Sequence, residues 1–392
     1  MAKRAAKIRL IPRLRLHRLR VNGFKAVKDS GYVDLQPLTL FIGRNGSGKS
    51  SLVEALQWMQ DAYFDDLLRA TDNRFRAFSY LLNKRARNIK LHFEFETQSK
   101  PVFYDLDVRK AAGGDRPIVF DETVREGQTA GQETVLWTTK GAKGPVFRMV
   151  KGATPERNGN RLAVRSLGQE HRALRGLAAF IERMVILRLS PTMMRFESLL
   201  ERAEGRLLDE EGALLPSLLS SFSAEQRRWV RDRVARVLPG VGDLKVKRTD
   251  RAHGYVVASE KMIWKGGSRE LDLPSWMLSE GTRRLTALFA LLAVRPRPSL
   301  LVIEEIENGL DPWTLELVFQ ELRDATGAGT QVIVTTHSPF LLDHVRVEEV
   351  VHVQRTKGHS TYNAIQGYSD VAQFKDVVAP GAMYIAGYFG GE

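Results

Sequence analysis

Three continuous apolar runs stand out along the chain: Leu38-Thr39-Leu40-Phe41-Ile42, Leu300-Leu301-Val302-Ile303 and Gln331-Val332-Ile333-Val334-Thr335. Runs with no wet face predict strands buried on both sides of a parallel sheet. The first ends in Gly43, the second in Glu304 and Glu305, and the third in Thr336 and His337. Near the start, Leu14, Leu16, Leu19 and Val21 alternate imperfectly with Arg15, His17, Arg18 and Arg20, which predicts a strand with one wet face. Residues 31–36 predict a second short strand. After the Gly43 loop, Leu52, Val53, Leu56, Met59, Tyr63, Leu67 and Leu68 recur at helical spacing. Residues 89–150 read as β-rich, residues 170–238 as mostly helical, and Leu285, Leu288, Phe289, Leu291 and Leu292 as one face of an amphipathic helix. The sequence carries no internal repeat and no long heptad array.

A chain of 392 residues can bury one large core or two ordinary ones. It contains no cysteine, which excludes disulfides, thiolate-held zinc and a cysteine nucleophile, and fits a cytoplasmic protein. No apolar run reaches the ~20 residues of a membrane span. Of the net charge of +13, eight positive charges lie in the first twenty residues, which hold no acid, so +5 is left for the rest. A basic arm over residues 1–13 suits either a nucleic-acid backbone or an acidic partner, or serves as a solubilising lead into the first strand. Arg69, Arg74, Phe75, Arg76, Phe78, Tyr80, Lys84, Arg85 and Arg87 read either as a nucleic-acid groove or as a solvated helix face with its aromatics turned inward. The helix carrying Arg227, Arg228, Arg231, Arg233 and Arg236 leaves the same two readings open.

The candidate chemistry sits at the ends of the buried runs. Gly43-Arg44-Asn45-Gly46-Ser47-Gly48-Lys49-Ser50, with Ser51 behind it, is a glycine loop between a strand and a helix. Backbone N–H groups in such a loop cradle phosphate oxygens, Lys49 reaches the outer phosphates, and the Ser50 hydroxyl ligates Mg2+. Glu304 and Glu305 close a buried strand. The first is placed to hold the metal through a water, and the second to polarise or deprotonate an attacking water. Asp is commoner at the first position, and Glu is one methylene longer. Leu278-Ser279-Glu280-Gly281-Thr282-Arg283-Arg284 opens the amphipathic helix with Ser279 as N-cap, and its bare start is a second candidate anion site. His337, at the end of the third run, is placed to touch a terminal phosphate and sense its loss.

These residues together resemble the ABC-type ATPases of the SMC/RecF class, and most of all stand-alone RecF-like ATPases akin to the ATPase part of overcoming-lysogenization-defect proteins and other anti-phage systems. The likeness rests on Asn22-Gly23-Phe24-Lys25 with the glycine loop, on Leu278 to Thr282, and on Ile303-Glu304-Glu305-Ile306-Glu307-Asn308-Gly309-Leu310-Asp311-Pro312 with Thr336-His337-Ser338-Pro339. It covers roughly the first 60 and last 120 residues. The Glu-Glu-x-Glu-Asn-Gly form of the acidic motif also occurs in that family. The resemblance implies an α/β ABC head, a RecA-like core with an N-terminal antiparallel β subdomain plus a helical lobe. It implies one head over residues 1–392, with a nucleotide-binding lobe over 14–150 and 296–392 and a mostly helical lobe over 151–295.

It further implies that two heads enclose two ATP–Mg2+, the glycine loop of one facing Ser279 and Gly281 of the other, with Asn308 and Asp311 in the coupling loop. The family's magnesium-ligating glutamine finds no clear counterpart: Gln98 follows a strand but comes early, and no glutamine lies near Ser190-Pro191. No coiled-coil arm separates the glycine loop from the signature. Only 55 residues follow His337, too few for the nuclease domain that overcoming-lysogenization-defect proteins carry there. The implied function is an ATP-hydrolysing switch that dimerises and controls a separate effector, such as a nuclease, in anti-phage defence or nucleic-acid maintenance. The alternatives are a RecF-like repair or loading ATPase that binds DNA or RNA directly, and a transporter nucleotide-binding subunit. Against the last, the signature reads Ser-Glu-Gly-Thr where transporters carry Ser-Gly-Gly-Gln.

Overall fold

The computed structural model describes residues 12–127, 134–138, 159–167, 171–200 and 206–389. Most of the basic arm, residues 1–11, lies outside the described residues. The chain divides into two compact units, one of residues 1–34 and 58–182, the other of residues 35–57 and 183–392.

The first unit is built on an antiparallel sheet. Strand Arg15–Phe24 pairs with Val27–Asp29, Val33–Asp34 and Asn88–Glu96, and the sheet continues through Val102–Lys110, Pro117–Glu126 and Thr134–Thr138. The imperfect alternation in the first strand has a structural cause. Its register against Asn88–Glu96 shifts between Leu16 and Arg18, so His17 and Arg18 both face outward while Leu16, Leu19 and Val21 are fully buried. Of the strand expected over residues 31–36, only Val33–Asp34 pairs.

The helix expected to run to Leu68 ends instead at Phe64, and Asp66 caps a new helix, Leu67–Phe75, by accepting from the Arg69 N–H. An N-cap carboxylate within a run of helical periodicity starts a new helix. In the basic–aromatic segment Phe78 is buried and Phe75 packs edge-on against Phe24, while Arg74 pairs with Asp61. For those aromatics the inward-turned reading holds, and only Tyr80 stays exposed.

The second unit holds a six-stranded sheet in the order His359–Ala364, Val350–Thr356, Leu38–Ile42, Gln331–Thr336, Leu300–Ile303, Val185–Leu187. All neighbours are parallel except the first pair. The three apolar runs occupy its centre, and every residue in them is buried. At about 1.5–3 kcal/mol for each large aliphatic side chain removed from water, these strands anchor the unit. Residues 151–295, expected as a mostly helical lobe, combine helices with a sheet. That stretch holds helices such as Leu215–Ser220, Ala224–Val237 and Glu280–Ala293, but also an antiparallel sheet of Val241–Arg248, His253–Trp264 and Gly267–Pro274. The two outer strands are largely exposed, so they lack the continuous apolar runs that announce the central ones. In Ala224–Val237, Arg233 and Arg236 both bind the buried Glu321, so part of that basic face is structural.

Candidate functional site

The parallel register assembles a cluster at the carboxyl ends of the central strands, where open α/β sheets bind their ligands. Thr336 lies opposite Ile42, so Gly43 and His337 emerge side by side. Ile303 lies opposite both Val334 and Leu187, so Glu304 leaves the sheet between Thr335 and Arg188. The glycine loop connects Leu38–Ile42 to helix Lys49–Phe64. Gly48 has φ 110° and its carbonyl accepts from the Tyr362 hydroxyl at 2.7 Å. A Cβ on Gly43 would lie 2.1 Å from the Val353 carbonyl oxygen. The loop is therefore clamped from the Val350–Thr356 side and keeps its open backbone.

Lys49 is buried, and its Nζ donates to the carbonyls of Gly43 at 2.6 Å and Arg44 at 3.3 Å, with His337 Nδ1 at 3.0 Å. Burial pushes its pKa down to about 8, against the pull of Glu305, Glu307 and Glu304. His337 Nδ1 also lies 3.1 Å from the Gly43 carbonyl oxygen, and Nε2 lies 3.3 Å from Glu305 Oε1. The His337 N–H donates to Glu307 Oε1 at 2.7 Å, fixing the ring at the strand end. Glu305 itself adopts φ 49°, a left-handed backbone costing a non-glycine residue roughly 1–2 kcal/mol. Its N–H donates to Thr335 Oγ1 at 3.0 Å, and its carboxylate accepts from Asn308 Nδ2 at 2.6 Å. Burial raises the Glu305 pKa, but the Asn308 and His337 hydrogen bonds and the Lys49 charge prevail and hold it below the usual glutamate range. It is thus an ionised, half-exposed carboxylate in a fixed pose.

Glu304 is buried, and both its oxygens are engaged: Oε2 accepts from the Ser50 hydroxyl at 2.6 Å and Oε1 from Arg188 Nη2 at 2.7 Å. Among the described residues no group of three or more His, Asp or Glu side chains could hold a metal ion unaided. A hydroxyl and a carboxylate facing each other beside a phosphate loop nevertheless fit Mg2+, which takes few protein oxygens and completes its shell with phosphate and water. Beside the loop lies a cleft of about 760 Å³ bordered by Arg44, Asn45, Gly46, Ser47, His352 and Tyr384, within the usual size of a ligand pocket.

Ser279 and Gly281 do not join this cluster. Ser279 Oγ caps its own helix, accepting from the Thr282 N–H at 3.1 Å, and no hydrogen bond among the described residues ties it to the glycine loop. A Cβ on Gly281 would lie 3.0 Å from the Gly309 carbonyl oxygen, so the signature helix packs against the loop that follows Glu305. Asp311 caps helix Pro312–Gly327 through the Thr314 N–H at 3.0 Å, and the neighbouring Trp313 is 80% exposed. Gln98, exposed between two strands of the first unit, belongs to the other compact body. Sequence reasoning missed Arg188, Tyr362 and the anchoring role of Glu307. Only Arg188 left a trace, the short apolar run Val185-Ile186-Leu187 before it.

Two family profiles match the chain: "AAA ATPase domain" over residues 15–139 and "AAA domain, putative AbiEii toxin, Type IV TA system" over residues 180–343. Among curated proteins, the chromosome partition protein Smc of Rhodopseudomonas palustris is 42% identical over 76 residues, 19% of this chain and 7% of that protein. The lipoprotein-releasing system ATP-binding protein LolD 1 of Rhodospirillum rubrum is 32% identical over 141 residues, 36% of this chain and 55% of that protein. The chain thus spans only part of either relative. Among solved structures, an Smc head bound to the C-winged helix domain of ScpA aligns with TM-score 0.55 and 16% identity over 89% of this chain and 96% of that one. The Smc head of Pyrococcus furiosus, bound to the C-terminal domain of ScpA, gives 0.55 and 13% over 93% and 99%. The mixed α/β fold is that of an SMC ATPase head. Among the described residues no helix is long and apolar enough to cross a membrane.

Proposed function

We propose that this chain, an ABC-type ATPase of the SMC/RecF-like class, is an ATP-hydrolysing switch that closes as a head-to-head dimer and controls a separate effector in anti-phage defence or nucleic-acid maintenance. The observation that carries the ATPase reading is the convergence, at adjoining strand ends, of buried Lys49, the Ser50–Glu304 pair and an ionised Glu305 held by Asn308 and His337.

In this reading the backbone N–H groups of residues 43–51 and the start of helix Lys49–Phe64 bind the phosphates. Lys49 transfers its donors from the Gly43 and Arg44 carbonyls to phosphate oxygens. Ser50 and Glu304 would hold Mg2+, which supplies charge neutralisation at the phosphates. Glu305 orients the attacking water and accepts its proton, its fixed backbone keeping the carboxylate aimed. His337, linked to both Lys49 and Glu305, senses the terminal phosphate. Ser279 and Gly281 lie apart from this cluster, and Ser279 is exposed, which supports their use against the nucleotide of a second copy. Effector control draws support from the Smc heads solved with ScpA bound and from the match to a toxin–antitoxin family.

The test is the Glu305→Gln variant, which keeps the Asn308 contact and removes the base. It should form an ATP-dependent dimer in analytical ultracentrifugation, with ATP turnover down by about 10²–10⁴-fold. Normal turnover would place the base elsewhere. Tight ATP binding by a persistent monomer would remove the dimer from the mechanism. A co-purifying partner protein should be enriched on the trapped dimer.

A further inference from the structure

One strong ion pair in the site has no part in the functions assigned above. Arg188 follows the edge strand Val185–Leu187, and the hydrogen bond from the Glu304 N–H to the Leu187 carbonyl, at 2.9 Å, sets the two residues side by side. Arg188 Nη2 lies 2.7 Å from Glu304 Oε1, and that carboxylate is only 3% exposed. Two further carboxylates stand just beyond hydrogen-bond reach. Glu210 Oε1 is 3.8 Å from Nη1, and Glu54 Oε1 is 3.9 Å from Nη2. Glu210 is itself fixed, its Oε2 accepting from Gln57 Nε2 at 2.7 Å and its backbone carbonyl accepting from the Arg188 N–H at 2.9 Å. Glu54 sits one helical turn after Ser50 on the same helix. The guanidinium is nearly half exposed and can rotate without unpacking a core.

We propose that Arg188 is a resident counter-ion that shares Glu304 with the divalent cation, resting on Glu304 in the nucleotide-free protein and moving to Glu210 and Glu54 when Glu304 turns to the metal. The physical reason is charge. A buried carboxylate with no cation beside it is costly, so Glu304 needs an internal positive charge whenever no metal ion is bound to it. The same charge opposes a second cation on the same oxygen. Arg188 therefore sets the magnesium concentration at which the site loads, and Glu210 with Glu54 sets how readily Arg188 yields. This rests on the ATP-site reading above, with Ser50 and Glu304 as the metal-holding pair.

The experiment is a Mg2+ titration of the full chain with a fluorescent, non-hydrolysable ATP analogue, following analogue binding rather than turnover. Arg188→Gln should lower the Mg2+ midpoint about tenfold, the equivalent of ~1.4 kcal/mol. Arg188→Lys keeps the charge and should stay near the wild-type midpoint, which covers the case in which the glutamine variant folds poorly. Glu210→Gln removes one resting place, so it should raise the midpoint in the wild-type background and leave it unchanged in the Arg188→Gln background. A purely structural ion pair would give no such dependence of one substitution on the other. Analogue binding with the same or a higher midpoint in Arg188→Gln overturns the proposal, as does a Glu210→Gln effect that persists without Arg188. Wild-type protein that binds no analogue at any Mg2+ concentration would instead overturn the ATP-site reading, and this proposal with it.

Discussion

Lys49 offers a test in which stability and function move in opposite directions. The residue is 6% exposed, and burial lowers its pKa from 10.5 to about 8. At ~1.4 kcal/mol per tenfold change in proton affinity, that drop corresponds to a native-state penalty of ~3 kcal/mol. The penalty applies below about pH 8, where the amine is charged in both folded and unfolded chains. It fades as the pH rises towards 10.5, where the unfolded amine also loses its proton. Lys49→Met keeps the length and apolar stem but removes the charge and its bonds to Gly43, Arg44 and His337. Those bonds offset roughly 1–2 kcal/mol of the relief, leaving a net gain of ~1 kcal/mol. For a unit of this size, that is a rise of about 2–4 °C in melting temperature.

The assay is differential scanning calorimetry at pH 7 in EDTA without nucleotide, alongside fluorescent ATP binding. The variant should melt higher and bind no ATP. A melting temperature several degrees lower would mean that the buried ammonium is a net stabiliser of the loop, and the desolvation argument would fail. Tight ATP binding by the variant would end the phosphate-site reading altogether.

Two substitutions in the glycine loop should separate cleanly. Gly43→Ala forces a Cβ to 2.1 Å from the Val353 carbonyl oxygen, a backbone atom that cannot turn aside, so it should lower the melting temperature and abolish nucleotide binding. Gly46→Ala meets nothing within 4 Å and has only its φ of 73° to resist it, a cost of ~1 kcal/mol. Similar melting losses for the two would refute the steric account. In the first unit, burial raises the Glu122 pKa from 4.5 to about 7, although the Ala163 and Val164 N–H groups and the Tyr104 hydroxyl donate to it. The folded protein then holds this proton more tightly than the unfolded chain, so stability should fall as the pH rises from 4.5 to 7. Glu122→Gln should flatten that part of the melting-temperature profile, and an unchanged slope would assign it to other groups.

Much of the site was legible because its residues follow buried strands whose apolar runs announce themselves. Gly43 to Ser51, Glu304, Glu305 and His337 could be located from sequence, since a residue directly after a central parallel strand emerges at the sheet's carboxyl edge whatever surrounds it. The amphipathic spacing of Leu285, Leu288, Phe289, Leu291 and Leu292 located the helix cap at Ser279. What escaped were features set by register and by weakly patterned elements. The antiparallel strands between Val241 and Pro274 are too exposed to betray themselves, so a helical lobe was expected there. Val185–Leu187 is too short to be recognised as an edge strand. Only its pairing with Leu300–Ile303 brings Arg188 onto Glu304 across a sequence separation of 116. The positive φ of Glu305, the clamp of Tyr362 on Gly48 and the depressed pKa of Lys49 are likewise products of packing. Sequence determined which chemical groups reach the sheet edge, because strand patterning is local. Tertiary structure alone decided which of them neutralise one another, because ion pairing depends on ångström distances between segments that no local pattern records.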